Sequence, residues 1–80
     1  TPNYFRNVFT QIAGMSPQKF LERIRLDRAK YLLAQNETTI TQIAYVCGFS
    51  SQAHFSMIFK RATQLTPKEF RAAAVFRYEE

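Results

Sequence analysis

The sequence predicts an all-α fold, and three observations support this prediction. The 80 residues include only two glycines and three prolines, and no run alternates apolar and polar residues as a half-buried strand does. Apolar residues recur instead at the i, i+3, i+4 and i+7 positions that share one face of a helix. Two segments of the chain also repeat each other. With 46% apolar and 15% aromatic residues, the chain can form a packed core.

The repeat is visible when the sequence is shifted against itself by 50 residues. Residues 4–20, YFRNVFTQIAGMSPQKF, then align with residues 54–70, HFSMIFKRATQLTPKEF. The identical pairs are Phe5 with Phe55, Phe9 with Phe59, Pro17 with Pro67, and Phe20 with Phe70. The polar positions between them differ. This pattern indicates one supersecondary unit that is used twice with two different surfaces.

The first predicted helix carries one copy of the repeated apolar pattern. Its apolar face comprises Phe5, Val8, Phe9 and Ile12. A second helix then begins with Ser16 as N-cap and Pro17 at the first helical position, where these residue types are favoured. Lys19 stands where a capping box would have Glu or Gln, so the box is incomplete.

The second predicted helix, roughly Pro17 to Gln35, is long and charged. At about 1.5 Å per residue, it would span about 28 Å. Its apolar residues fall on two sides: Phe20, Leu21 and Ile24 on one, and Leu26, Ala29, Leu32 and Leu33 largely on the other. Tyr31 does not follow this division. Two interpretations remain open, a helix that serves two small cores and a helix buried on a single wide face.

A polar loop at residues 36–38 leads to a third predicted helix. Thr39 and Gln42 have the spacing of a capping box ahead of the next apolar residues. Gly48 is expected to end this helix, and residues 50–51, two serines, open the fourth.

The start of a fifth helix is marked by Thr66 as N-cap, Pro67 at the first helical position and Glu69 as the capping-box acid. Leu65, just before the cap, is positioned to pack on Phe70 as a hydrophobic staple. The fifth helix therefore begins with the same pattern as the second.

The segment ITQIAYVCGFSSQAHFSMIF, residues 40–59, has the features of a helix-turn-helix. Two helices that cross closely need a small residue, which Ala44 supplies, and the turn needs a residue that tolerates positive φ, which Gly48 supplies. Phe49, Phe55 and Phe59 are expected to hold the second helix on the first. The opposite face is then free to enter a DNA major groove. A three-helix packing unit that contacts no DNA is the other interpretation.

Charge favours a polyanionic partner. The net charge is +5, and residues 51–77 contain five Lys and Arg against a single acid, Glu69. Basic residues of the long helix are mixed with acids and are interpreted as a solvated face. No membrane span or signal peptide is recognisable. The chain begins with Thr1 rather than Met, which we interpret as part of a longer protein.

Nothing in the sequence predicts an enzyme, a cofactor or a metal site. One His and one Cys, seven residues apart, form neither a metal cluster nor a nucleophile–base pair. Cys47 cannot form an internal disulfide, which fits a reducing cytoplasm. It is interpreted as a small core residue, with a redox sensor as the alternative.

From Tyr4 to Arg71, the chain resembles the C-terminal DNA-binding domain of the AraC/XylS family. The similar pieces are YFRNVF, GMSPQKFL with Arg25, Ala29, Leu32 and Leu33, ITQIAYVCGFSSQAHFSMIFK, and LTPKEFR. The resemblance implies two homeodomain-like helix-turn-helix units joined by a long linking helix. Residues 1–35 would be the recognition helix of an incomplete first unit plus the linking helix, with the recognition helix around Pro2 to Gln11. Residues 36–80 would be a complete second unit with a C-terminal helix, its recognition helix at 51–62.

Two groups of residues are predicted to contact DNA, the first by the same resemblance and the second from its basic side chains, hydroxyls and helix starts. Base contacts are assigned to Asn3, Arg6, Asn7, Gln52, Ala53, His54, Ser56 and Met57. Phosphate contacts, which position a protein without reading sequence, are assigned to Thr39, Ser51, Lys60, Arg61 and Arg71.

The chemistry of these side chains suits their assigned contacts. The amide of Gln52 can pair bidentately with adenine, Arg6 can pair with guanine, and Ala53 or Met57 can meet a thymine methyl. The alternatives are a solvated amide for Gln52, an ordinary surface arginine for Arg6, and a phosphate or water contact for His54.

The expected partners are double-stranded DNA and, since the family more often activates than represses, RNA polymerase. An effector-binding and dimerisation domain is expected elsewhere in the protein, which would be cytoplasmic and bound to the nucleoid. The resemblance also implies two helices ahead of the first recognition helix, so a longer chain should be more stable than residues 1–80 alone. The rival function is a helical protein-interaction module.

Overall fold

The computed structural model describes the backbone of residues 2–79 and the side chains of residues 3–74. This part of the chain forms five helices: α1 Pro2–Ala13, α2 Pro17–Gln35, α3 Ile40–Val46, α4 Gln52–Thr63 and α5 Pro67–Glu79. It contains no strand, so the all-α prediction is confirmed. The side chain of Arg77, one of the basic residues counted above, lies outside the described residues.

Hydroxyl side chains cap four of the helices at their predicted starts. Ser16, Thr39, Ser51 and Thr66 each accept a hydrogen bond from the backbone N–H three residues later, at 3.0–3.3 Å. The reciprocal bond of a capping box is present at two of them. The N–H of Thr39 donates to Gln42 Oε1 at 3.2 Å, and that of Thr66 donates to Glu69 Oε1 at 2.8 Å. These caps confirm the predicted helix starts.

The repeat is preserved in the turns that follow α1 and α4. Gly14 has φ +78°, and its counterpart 50 positions later, Gln64, has φ 70°. The N–H of Gly14 donates to Thr10 O at 2.9 Å, and the N–H of Gln64 donates to Lys60 O at 2.8 Å. Both helices therefore end in the left-handed conformation. Gly14 adopts it without steric cost, whereas Gln64 adopts it with a Cβ atom present.

The core lies between α2, α3 and α4. Its buried residues are Leu26, Ala29, Leu33, Ile43, Ala44, Cys47, Phe49, Phe55, Ile58 and Phe59. Leu32, Ile40 and Phe70 pack against them while partly exposed. The core thus joins the second half of α2 to α3 and α4, with Phe70 of α5 at its margin.

The two apolar sides of α2 have different environments. Leu26, Ala29 and Leu33 are buried, whereas Phe20, Leu21 and Ile24 are 40–49% exposed. Phe20 still contacts α1, because its ring centroid lies 5.4 Å from that of Phe9. A single buried wide face is therefore not what the structure shows.

Equivalent phenylalanines in the two copies are buried to different extents. Phe55 is completely buried, but its counterpart Phe5 is 62% exposed. Ile12, which was predicted to lie on the apolar face of α1, is exposed in its final turn. Its counterpart Ala62 is likewise exposed in the final turn of α4. The first copy therefore lacks the cover that the second copy has.

Within residues 2–79, no helix is long and apolar enough to cross a membrane.

Candidate nucleic-acid interface

The turn between α3 and α4 is short and held by backbone hydrogen bonds. Gly48, at φ +90°, donates its N–H to Tyr45 O at 3.1 Å, and Phe49 donates to Ala44 O at 3.0 Å. Ala44 is only 1% exposed, so its methyl group lies inside the contact between the helices. A larger side chain at this position would push the helices apart.

Aromatic packing fixes α4 from its inner side. The ring centroids of Phe49 and Phe55 are 5.0 Å apart, and those of Phe55 and Phe59 are 5.5 Å apart. All three rings are buried. Because the inner face of α4 is filled by these rings, its opposite face is directed to solvent.

That outer face carries the side chains predicted to contact DNA in the second unit. Six are exposed: Gln52, Ala53, His54, Met57, Lys60 and Arg61. Ser56 is half-buried at the edge of the face. The structure therefore brings these residues together on one largely exposed helix surface.

Gln52, the first residue of α4, is held by a side chain that the sequence analysis did not single out. The hydroxyl of Thr41 in α3 donates a hydrogen bond to Gln52 Oε1. This bond joins the starts of the two helices and orients the amide, while Nε2 remains a donor for another acceptor. The feature of the sequence that could have indicated this bond is the hydroxyl residue Thr41 in the first turn of α3.

His54 lies against the turn rather than fully in solvent. Its Nδ1 is 3.1 Å from the hydroxyl oxygen of Ser50, and its ring meets that of Phe49 edge-on with centroids 6.0 Å apart. Its backbone N–H donates to the Ser51 hydroxyl oxygen at 3.0 Å. The imidazole is therefore held by two neighbours, and Nε2 is its second polar atom.

In the first unit, Asn3, Arg6 and Asn7 are exposed on α1. Their i, i+3 and i+4 spacing places them on one side of the helix. The hydroxyl of Thr10 donates to the carbonyl oxygen of Arg6 at 2.7 Å, which keeps this neighbouring side chain against its own helix. The structure therefore groups the three predicted base contacts of the first unit.

Arg71 occupies a different environment from the other residues assigned to phosphate. Its Nε donates to the carbonyl oxygen of Leu33 at 3.1 Å, and its Nη2 donates to that of Thr38 at 2.5 Å. The side chain is half-buried. Two of its five N–H donors are thus used within the fold, so three remain for the predicted phosphate contact.

The hydroxyls of Thr39 and Ser51 remain available to phosphate. Each oxygen accepts a hydrogen bond from its own helix, but the hydroxyl hydrogen can still be donated outward. Both residues are exposed.

Cys47 has the environment of a core residue. It is 4% exposed, and burial raises the pKa of its thiol, while the nearby positive charge of Arg28 has a smaller opposite effect. A raised pKa keeps the sulfur as the less reactive thiol. Among residues 2–79, no group of three or more His, Cys, Asp and Glu side chains has the arrangement of a metal site.

A short helix, a glycine turn and a second helix with a free polar face together define a helix-turn-helix of the DNA-binding class. A family model described as a helix-turn-helix domain matches residues 1–73. The transcriptional activator RhaS of Escherichia coli is 44% identical over 61 residues, which are 76% of this chain and 22% of RhaS.

Solved structures show the same likeness. A transcriptional regulator with an AraC-type DNA-binding domain from Chromobacterium violaceum is 39% identical, with a TM-score of 0.83 over 90% of this chain and 64% of that one. The C-terminal domain of AraT, a response regulator from Geobacillus stearothermophilus, is 33% identical, with a TM-score of 0.87 over 91% of this chain and 60% of that one.

The chain belongs to the AraC-type helix-turn-helix family. It is a DNA-binding domain of the kind found in transcription regulators, which confirms the predicted family and function. It spans about a fifth of the length of RhaS, at 22%.

Proposed function

We propose that α4 enters the major groove and that its outer face reads base edges there. The observation that carries this proposal is the anchored amide of Gln52, which is exposed yet oriented by Thr41. A fixed amide loses less side-chain entropy when it pairs with a base than a free one does. Nε2 would donate to adenine N7, and Oε1, which has a second lone pair, would accept from adenine N6.

The other base contacts follow from the same placement of α4. Ala53 and Met57 present apolar groups that suit a thymine methyl. His54 offers Nε2 from a ring that is packed against Phe49, and Ser56 contributes from the edge of the face.

We further propose that α1 reads a second site through Asn3, Arg6 and Asn7. Adjacent major-groove segments on one side of a duplex are about 34–36 Å apart. The longest dimension of the structure is 48 Å, which exceeds this spacing. In this arrangement residues 1–35 act as the first recognition unit with its linking helix, and residues 36–80 act as the second unit.

Phosphate contacts position this arrangement on the duplex. Lys60 and Arg61 lie in the last turn of α4 and are exposed, and the hydroxyls of Thr39 and Ser51 lie at helix starts. Backbone N–H groups at a helix start also favour anions. Arg71 joins this set through its three remaining N–H donors, although its guanidinium is bound to two carbonyl oxygens within the fold.

The role of the whole protein is proposed by analogy with its relatives. RhaS is a transcriptional activator, and we propose that this domain likewise serves activation, with RNA polymerase as a partner. Effector binding and dimerisation would lie in another domain of the protein, and the site of action would be the bacterial cytoplasm at the nucleoid.

The base-contact proposal is tested by comparing two glutamines. Gln52→Ala should reduce the preference for a selected duplex over a scrambled one by about tenfold, the order expected for one bidentate contact. Gln18→Ala, an exposed glutamine near the start of α2, is the matched control and should leave the preference unchanged. Equilibrium dissociation constants at fixed salt measure both. An unchanged preference in Gln52→Ala would exclude Gln52 as a base contact.

Phosphate contact is tested by salt dependence. Lys60→Ala should weaken binding to both duplexes alike and should flatten the plot of log K against log salt by about 0.9. If the slope does not change, Lys60 does not contact phosphate.

A further inference from the structure

The arginines of the linking helix α2 are not equivalent. Arg23 and Arg28 are exposed, whereas Arg25 is half-buried. Its guanidinium lies against Gly48 in the turn between α3 and α4. A Cβ atom added to Gly48 would lie 3.0 Å from Arg25 Nε and 3.3 Å from its Cζ. The guanidinium therefore lies in tight contact with the position that the Cβ atom of any other residue at position 48 would take.

This contact adds a side chain of α2 to the backbone hydrogen bonds that hold the turn. The backbone of the turn is held on α3 by the bonds from Gly48 to Tyr45 O and from Phe49 to Ala44 O. The guanidinium lies beside Gly48, which remains exposed on its other side. Gly48 adopts φ +90°, and as a glycine it can also adopt many other backbone conformations. A side chain packed against it restricts these alternatives.

The charge of Arg25 suits this position, although α3 is a short helix. The last turn of α3 contains no basic residue. A cation beside the carbonyl end of a helix is favourable, and α2 supplies one here from outside the helix. Among the described residues, Arg25 has no carboxylate within ion-pair distance; the ion pair of α2 joins Lys30 to Asp27.

We propose that Arg25 is a positioning residue for sequence recognition: by packing on Gly48 it fixes the turn, and the turn sets the direction of α4. The path is short, since Gly48 is followed by buried Phe49, the N-cap Ser51 and then Gln52. The side chain of Arg25 acts through its planar shape and does not contact DNA. This proposal rests on the proposed base contacts of α4.

The test uses the whole chain and two duplexes, one selected by the protein and one scrambled, over a range of salt concentrations. Arg25→Lys keeps the charge and loses the planar group. It should reduce the preference for the selected duplex by about tenfold, an effect comparable to one mismatched base pair, and leave the salt slope unchanged. Arg23→Lys, on the same helix but exposed, is the matched control and should change neither quantity.

Other outcomes would overturn the proposal. A salt slope that falls by about 0.9 in Arg25→Met but not in Arg25→Lys would mean that Arg25 contacts phosphate. Equal weakening for both duplexes, in step with a lowered Tm, would mean that Arg25 serves only stability. Wild-type protein without any sequence preference would instead contradict the proposed base contacts.

A double-mutant cycle tests the contact even if recognition fails. Gly48→Ala should lower the Tm, and Arg25→Ala should restore part of that loss because it removes the tight contact with the new methyl group. Strictly additive changes in Tm would show that the guanidinium does not restrain Gly48, and the proposal would be wrong.

Discussion

The guanidinium of Arg71 in α5 binds the carbonyl oxygen of Leu33 in the last turn of α2, at 3.1 Å from Nε. Its Nη2 also binds the carbonyl oxygen of Thr38, directly before the N-cap of α3. One side chain thus binds a carbonyl at the end of α2, which also accepts the N–H of Asn36 at 3.2 Å, and another in the loop that follows. These hydrogen bonds hold α5 against the end of α2 and the loop before α3.

We expect Arg71→Met to lower the free energy of unfolding by about 2 kcal/mol, since hydrogen bonds to charged groups contribute about 1.5–3 kcal/mol. Urea unfolding measures this change. Arg61→Met is the control, and it should stay within about 0.5 kcal/mol because Arg61 is exposed on α4. Unaltered stability together with a flatter salt dependence of DNA binding would mean that Arg71 serves phosphate contact rather than the fold.

The repeat allows a comparison of the two aromatic pairs. Phe59 and Phe70 meet edge to face at 5.3 Å, and Phe9 and Phe20 do so at 5.4 Å. Phe59 is completely buried, whereas Phe9 is half-buried. We expect Phe59→Ala to cost about 3–5 kcal/mol and Phe9→Ala distinctly less, as measured by chemical denaturation. Equal losses would mean that the first unit is packed as tightly as the second.

The left-handed turn after α4 offers a stabilising substitution. Gln64 has φ 70°, a conformation that costs about 1–2 kcal/mol for a residue with a Cβ atom. A glycine at this position would avoid that cost, but part of the gain is offset by the larger conformational entropy that glycine has in the unfolded chain. We expect Gln64→Gly to stabilise the domain by about 0.5–1 kcal/mol and Gly14→Gln to destabilise it. A Tm that falls in Gln64→Gly would contradict this account of the turn.

The capping box of α5 predicts a dependence of stability on pH. The hydrogen bond from the Thr66 backbone N–H, followed by that with its hydroxyl, lowers the pKa of Glu69 below its ordinary value. A carboxylate whose pKa is lowered by folding stabilises the folded state above its unfolded pKa, about 4.3, and this contribution is lost as pH falls through the folded pKa.

The pH effect is measured against Glu69→Gln, which keeps an acceptor but cannot titrate. The stability advantage of the wild type over this variant should be present at neutral pH and should shrink as the pH falls below about 4. An advantage that is independent of pH would show that the ionised form of Glu69 is not what stabilises the cap.

The features that the sequence predicted well are those decided within a few residues. Each N-cap, such as Thr39 or Thr66, bonds to a backbone group three positions away, so residue types at that spacing are enough to locate it. The internal repeat likewise identified the matching aromatic positions, and the resemblance to a family predicted the function.

The features that it missed depend on distant parts of the chain. The acceptor of Arg71 at Leu33 is 38 positions away, and the local pattern gave Arg71 only a positive charge. The contact of Arg25 with Gly48 joins two helices, so α2 looked like a solvated charged helix at this point. The bond from Thr41 to Gln52 also crosses between helices. Side-chain destinations of this kind are set by tertiary packing.

Selection of duplexes from a random library at near-physiological salt tests the central claim most directly. If α1 and α4 both read DNA, the enriched sequences will contain two blocks about one helical turn apart, and Gln52→Ala will relax only one of them. A single block would contradict the paired arrangement and leave α4 as the only reader. Absence of enrichment from the folded protein would contradict sequence-specific recognition itself.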